Sequence, residues 1–438
     1  MKLIRLAALA FAAFLTAASA DAFEIERVTS PGGIEAWLIR DRTAPVLAIQ
    51  AAFPGGSAQD PAGKEGLASL MAGMLDEGAG PLDAEAFKAK IEDNSIEFSA
   101  DAGRDHMTVG LRSLGNRRDV AVELLALALS EPRFEPQALE RVRGQVLAQI
   151  QRDAENPRSI AWRTLWDALF PGHVYGRRAQ GTAETVQALT RDDLILFHRA
   201  GLTREGMKVG VVGDITAEEL KPLLDRAFGK LPAKGALTSI PEAKSAAPGT
   251  TTVIRRPIPQ SVVTFGHFGL KRDDPDYYAA YVVNYILGGG GLGSRLMEEV
   301  REKRGLAYGV SSSLSTMARA GLVVGSVGTE NAQTATSLEL IRKEWRRMRE
   351  DGPTETELKN AKTYLNGSFP LQLSSSSRIA RMLVSIQVEN LGIDYLDKRS
   401  AYIDKVTIED ARRVARRLFD PDRLTVVVVG DPAGLPVN

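Results

Sequence analysis

Four histidines, no cysteine and a glycine run are the first places to look for chemistry in this 438-residue chain. The lack of cysteine excludes disulfides, thiolate metal sites, cysteine nucleophiles and a lipid anchor on cysteine. A zinc helix needs imidazoles at i and i+4 on one face, with a carboxylate base for the water. His106, His173, His198 and His267 show no such spacing. The glycine run 288–291 is no phosphate loop, because no Lys-Ser/Thr follows it and no β-branched strand precedes it. Arg301 and Tyr308 lie on either side of one turn. The helical pattern runs to about Lys303, Gly305 turns the chain, and Tyr308 falls on the strand that follows. A guanidinium and a phenol at such a junction can donate hydrogen bonds to a substrate carbonyl as it becomes an oxyanion. Taken singly, Arg301 reads as a solvated helix charge and Tyr308 as a half-buried strand aromatic.

Elements must position these residues, and an internal repeat supplies the plan. Residues 190–214 (TRDDLILFHRAGLTREGMKVGVVGD) align without a gap on 407–431 (TIEDARRVARRLFDPDRLTVVVVGD). Thr190 pairs with Thr407, Asp193 with Asp410, and Val211-Val212-Gly213-Asp214 with Val428-Val429-Gly430-Asp431. Each copy reads as a Thr N-cap, a helix, a linker and a β-branched strand closed by Gly-Asp. Two similar halves follow, joined through 233–249, a stretch rich in Ala, Ser, Pro and Gly. In the first half, strands are expected at 24–30, 35–40, 45–53 and near 95–113. Helices are expected there at 64–77, 83–92, 117–129, 135–155 and 158–168. In the second half, strands near 251–269 and 306–327 accompany helices at 276–287, 293–303, 331–349 and 355–388. Strands grouped before helices argue an α+β class, with two similar halves, each a mixed or antiparallel sheet packed against a layer of helices.

The segment GGSAQDPAGKEGLASLMAGMLDEGAG (55–80) resembles the zinc-site helix of pitrilysin/insulinase-type peptidases. In that family a Gly-Leu-Ala lead-in precedes His-x-x-Glu-His, with an apolar Met-Leu pair behind. Here Gly66-Leu67-Ala68 leads in and Met74-Leu75 follows, but the motif positions are Ser69, Leu70, Met71, Ala72 and Gly73. Leu67, Leu70, Met71, Met74 and Leu75 form one apolar stripe at helical spacing. Ser69, Ala72 and Gly73 lie on the other side, from which ligands would project. Glu65 and Asp76 flank that side, and read either as a replacement site for a hard ion or as a solvated helix rim. The resemblance puts the family's third ligand, a glutamate on a later helix, at Gln149 within ERVRGQVLAQIQRDAENP (140–157). Both histidines, the base and the third ligand are therefore absent together. His173, in His-Val-Tyr-Gly, matches a His-x-Tyr-Gly stretch usual in the family and reads as structural.

The second half keeps the other part of the family's chemistry. LGGGGLGSRLMEEVREKRGLAYGVSSSL (287–314) resembles the substrate-positioning segment, in which an arginine precedes a tyrosine by seven residues, here Arg301 and Tyr308. The resemblance spans about residues 24 to 431 and implies a metalloprotease-like repeat. It also implies a catalytic cavity shared by two similar polypeptides, one with zinc and one with the arginine and tyrosine. This chain would be the non-catalytic subunit, binding no metal or other cofactor. Zinc is expected in a homologous partner, in a heterodimer that hydrolyses peptides or unfolded segments. Rival classes are a paralogue that captures peptides by strand addition at a sheet edge, and a scaffold in a larger membrane-associated assembly. The intact Arg301–Tyr308 pair favours the catalytic partnership.

Basic and acidic residues both number 55, so charge gives no bias toward nucleic acid or an anionic membrane. At the N-terminus, Lys2 and Arg5 precede an apolar run over 6–17 and the small residues Ala18-Ser19-Ala20. That is the pattern of a secretory signal peptide. The alternative, a membrane anchor, has too short an apolar run for a bilayer core of roughly 30 Å. No later stretch is long and apolar enough to span. The expected plan is a signal peptide over 1–20, an N-terminal peptidase-like domain with a degenerate zinc motif over 21–235, and a linker over 236–249. A C-terminal peptidase-like domain with the Arg/Tyr motif completes it over 250–438, in a soluble, exported, periplasmic protein.

Overall fold

The repeat in the sequence is a repeat of wiring. The computed structural model describes residues 24–245 and 249–435, so the signal peptide expected over 1–20 lies outside the described residues. The first sheet contains β1 (Ile25–Thr29), β2 (Glu35–Arg40), β3 (Val46–Pro54), β4 (Glu97–Ala102), β5 (His106–Leu114) and β6 (Lys208–Gly213). Their spatial order is β1-β2-β6-β3-β5-β4. The second contains β7 (Thr251–Arg255), β8 (Gln260–Phe268), β9 (Ala307–Met317), β10 (Ala320–Glu330) and β11 (Thr425–Gly430), ordered β7-β11-β8-β10-β9. In each half the last strand inserts between two earlier ones. β6 runs parallel to β2 and antiparallel to β3, as β11 does to β7 and β8. Both central strands are apolar runs covered on both faces, hence their lack of alternation.

The helices that lead into them, Arg191–Gly201 and Ile408–Leu418, start identically. Thr190 and Asp193 form a capping box, and Thr407 and Asp410 form its copy, each satisfying two backbone donors. Beyond the strands, Arg40 pairs with Asp214 at 3.3 Å and Arg255 pairs with Asp431. These contacts fix the end of each central strand to its parallel neighbour.

Each half packs most of its helices on one face of its own sheet, but the other face is covered by a helix from the opposite half. The helix Pro157–Leu169 lies on the second sheet, where Ile160, Ala161 and Leu165 meet Leu322, Val324, Val427 and Val429. The helix Ser376–Val388 lies on the first, where Ile379, Ala380 and Leu383 meet Trp37, Ile39, Ala48 and Val212. Gly210 permits the second approach: a Cβ there would sit 2.6 Å from the Ala380 carbonyl oxygen. Thr264 Oγ1 donates to Ala161 O at 3.1 Å, and Gln387 Nε2 donates to Val209 O at 2.9 Å. The His-Val-Tyr-Gly stretch adds a polar tie. His173 Nδ1 accepts from the Tyr175 amide, while the Tyr175 hydroxyl donates to Asp105 and accepts from the Arg319 amide at 3.1 Å.

Three expected helices differ. The one placed at 64–77 is only Leu67–Ala72, followed by tight turns. The one placed at 355–388 is two, Glu355–Gly367 and Ser376–Val388, separated by the 3₁₀ segment Phe369–Leu373. Pro370 has no amide to donate there. The one placed at 293–303 winds as a π-helix over Met297–Glu302. Among the described residues no helix is long and apolar enough to cross a membrane.

Candidate functional site

Arg301 and Tyr308 meet because the segment before them is held rigidly. Arg295, 5% exposed, forks onto Glu357 (Nε–Oε1 2.6 Å, Nη2–Oε2 2.7 Å), and its Nη2 also donates to Gly352 O at 2.9 Å. Burial pushes the Glu357 carboxyl up, but the Arg295 fork and the Thr354 amide outweigh it and hold it at about 2. Leu296, Met297 and Val300 are buried, so this face is locked into the core. The π winding carries the Lys303 amide onto Glu298 O at 2.9 Å, and such turns cluster at functional sites. The Leu306 amide then reaches back to Val300 O at 2.9 Å and closes the turn through Gly305.

β9 opens with a bulge. Thr329 pairs with Ala307 and Gly328 with Gly309, so Tyr308 is the extra residue of an edge strand. A bulge re-aims a side chain, and Tyr308 is 89% exposed. The Arg301 guanidinium lies 5.1 Å from the centre of the Tyr308 ring, a cation–π contact. Its one ion pair among the described residues is with Glu302, at 3.4 Å. The Tyr308 hydroxyl makes no hydrogen bond there. Two donors are thus placed together, the phenol hydroxyl free and the guanidinium engaged only by its neighbour Glu302.

The motif helix is the opposite case. Gly66 starts it in the left-handed region (φ 97°), where a glycine is at home. Asp60, 3% exposed, accepts from the Gly66 and Ala68 amides at 2.8 and 2.9 Å. Burial pushes its carboxyl up to about 7 against the pull of those amides. Leu70, Met71 and Ala72 are buried, Ser69 is half-buried and Gly73 is exposed. A Cβ on Gly73 would touch Val142 Cγ1 of the helix Pro136–Glu155 at 3.3 Å. Gln149 lies on the same face of that helix, about 10.5 Å further along it at 1.5 Å per residue. Its Oε1 accepts from Arg152 Nε and Nη2 at 3.2 and 2.6 Å. One hydroxyl and one amide already engaged do not make a zinc site, which needs imidazole, thiolate or carboxylate.

Asp76 is half-buried, not on a solvated rim, and burial followed by the charge of Glu77 pushes its carboxyl up. Glu77, buried and missed in the sequence, pairs with Lys88 at 2.6 Å and with Arg141. Glu65 accepts from the Gly63 amide at 3.2 Å. Among the described residues no group of three His, Cys, Asp or Glu side chains could hold a metal ion. His198 contacts Leu129 O at 2.8 Å, and His267, pushed down to about 4 by burial, accepts from Trp345 Nε1 at 3.1 Å. The Arg/Tyr pair and the motif helix belong to different sheets, and no hydrogen bond or ion pair among the described residues joins them.

Residues 36–183 match the family model described as insulinase (peptidase family M16), and 188–365 match that of the peptidase M16 inactive domain. A Helicobacter pylori protein named non-peptidase homolog YmxG is 28% identical over 388 residues, covering 88% of this chain and 89% of its own. An uncharacterized zinc protease of Streptomyces coelicolor is 28% identical over 410 residues, covering 90% and 86%. The crystal structure of a peptidase M16 inactive domain from Pseudomonas fluorescens superposes with a TM-score of 0.88 at 28% identity, over 94% of this chain and 99% of that one. With both halves matched in series, this chain belongs to the insulinase (M16) family of peptidases.

Proposed function

We propose that this chain is the zinc-free subunit of a heterodimeric metallopeptidase, lending Arg301 and Tyr308 to the active site of a zinc-bearing homologue. The observation that carries this reading is the outward pair itself: a guanidinium stacked on an exposed phenol at a bulged sheet edge. A solvated charge and a core aromatic need neither a bulge nor a locked helix. The partner's zinc supplies the Lewis acid and the activated water. Arg301 orients the peptide carbonyl, and Tyr308 donates to its oxygen as charge develops there. Ser69, Ala72, Gly73 and Gln149 take no part in the chemistry. The two peptidase-like domains over 21–235 and 250–438, the linker between them and export behind a cleaved leader at 1–20 belong to the same reading.

Co-expression with a homologue of similar length and intact His-x-x-Glu-His, followed by size-exclusion chromatography and peptide hydrolysis, tests it. A one-to-one complex that cleaves peptides, while this chain alone holds no zinc and cleaves none, is expected. A chain that stays monomeric at micromolar concentration with every such homologue contradicts it.

A further inference from the structure

One helical turn past Gln149, Asp153 of the helix Pro136–Glu155 lines a cavity of about 270 Å³. The helix Pro157–Leu169 supplies another wall, with Arg163, Trp166 and Asp167, and the loop that carries Arg177 and Arg178 supplies a third. That loop leads into the short helix Ala183–Ala188, whose Thr185 Oγ1 donates to Glu65 O at 2.8 Å beside the motif helix. Arg104 enters from the β4–β5 turn, its guanidinium 4.0 Å from the centre of the Trp166 ring and its Nε donating to Tyr175 O at 3.2 Å. Arg177 Nη1 donates to Asp60 O at 3.2 Å. These two arginines are spent on building the walls.

Arg163 and Arg178 are not. Among the described residues neither makes a hydrogen bond or an ion pair, although Asp153 and Asp167 line the same space. Asp153 already accepts from Ser159 Oγ at 3.0 Å. Four guanidiniums therefore face two carboxylates. Burial and then the charge of Arg178 lower the basicity of Arg163, and burial raises the Asp167 carboxyl. The first shift has the sense expected of crowded positive charge, and the second that of lost water, which outweighs the pull of Arg178 and Arg163. The cavity is smaller than the roughly 300–1,000 Å³ of drug-sized sites and suits one residue of a chain. A planar carboxylate is the anion that a guanidinium fork matches best.

We propose that this cavity binds a peptide carboxylate, held by Arg163 and Arg178, with the adjoining carbons against Trp166. The carboxylate comes from a chain terminus or from an Asp or Glu side chain. The proposal rests on the peptide-handling reading only for the source of the ligand. Its test uses this chain alone, without partner or hydrolysis, so its failure leaves the shared-site reading standing.

The test is isothermal titration of the full mature chain at low salt with three ten-residue peptides of Ala, Gly and Ser. One has a free C-terminus, one is amidated, and one is amidated with a central Glu. Binding of the first alone assigns the site to chain termini, and binding of the third assigns it to acidic side chains. In either case Arg178→Gln, at the exposed mouth, is expected to weaken binding at least tenfold with an unchanged melting curve, and the double change with Arg163→Gln to abolish it. Asp167→Asn is expected to tighten it. Equal binding of the amidated neutral peptide, unaltered affinity in Arg178→Gln, inorganic phosphate binding as tightly as the peptides, or no binding at millimolar concentration would each overturn the proposal.

Discussion

Phe98 and Tyr308 occupy the same place in the two halves. Each is the second residue of the free edge strand, β4 or β9, that follows a helical segment. Phe98 pairs in regular register with Leu111, packs against the first core and meets Phe87 edge-on with centroids 6.5 Å apart. Tyr308 falls in a register shift. Ala307 before it and Val310 after it take the inward positions, and the phenol turns out to solvent beside Arg301. One inserted residue separates a half-buried ring packed against the core from an exposed donor. The first half packs its ring against the core; the second turns the matching ring to solvent beside a guanidinium.

Changes that break the comparison are ranked by the size of the effect. Arg295→Ala leaves the half-buried Glu357 without its partner, and breaking such a pair costs about 3–5 kcal/mol. The partial exposure of Glu357 puts the expected loss at the lower end, read by urea denaturation. Arg295→Ala should also loosen Arg301, so turnover of the reconstituted pair falls even where the variant is folded. Phe98→Ala is expected to cost roughly 2 kcal/mol, and Tyr308→Ala to stay within about 0.5 kcal/mol of wild type. Equal losses at the two positions would mean that both rings are structural and that the bulge has no functional meaning.

The smallest effect concerns Asp60 and pH. Its carboxyl ionises at about 7 when folded and near the ordinary aspartate value of 3.8 when unfolded. Between those values the folded state holds the extra proton, so stability falls as pH rises through that window and levels off above it. Glu357 has the opposite sign: held at about 2, it stabilises above its unfolded value of 4.5, and that stability is lost as pH falls toward 2. His267, held at about 4 when folded, contributes in the opposite sense, so the Asp60 effect is read as a difference: from pH 4.5 to 7.5 the wild-type melting temperature should decline relative to that of Asp60→Asn, which keeps one acceptor for the Gly66 and Ala68 amides. An identical slope in both proteins would assign the pH dependence to other groups.

Much of this architecture is legible in the sequence because local signals carry it. Thr190 and Thr407 announce helix starts, the runs ending in Val212-Gly213 and Val429-Gly430 announce central strands, and their fixed offset announces the repeat. Helical periodicity also identifies Leu67, Leu70, Met71, Met74 and Leu75 as core, and all five are buried. What periodicity does not say is which sheet an apolar stripe will cover. The helices Pro157–Leu169 and Ser376–Val388 therefore read as ordinary members of their own halves, although each seals the other. Gly66 and Gly73 bracket a helix of six residues within a pattern long enough for fourteen. The π winding and the bulge leave no period in the sequence, so Arg301 and Tyr308 are readable as a pair only by their motif. Asp60 carries no cap spacing relative to Gly66, and its role comes from the loop that folds it back.

The account stands most directly on Tyr308→Phe, which removes one exposed oxygen and leaves the ring, the bulge and the Arg301 contact in place. The measurement is steady-state peptide hydrolysis by the complex reconstituted with a zinc-bearing homologue, with melting and size-exclusion profiles alongside. Loss of one oxyanion donor is expected to lower kcat by about 10²–10³, equivalent to about 3–4 kcal/mol. Assembly, melting temperature and the partner's zinc content should stay at wild-type values. Wild-type turnover from an intact Tyr308→Phe complex would contradict the account and leave this chain a scaffold.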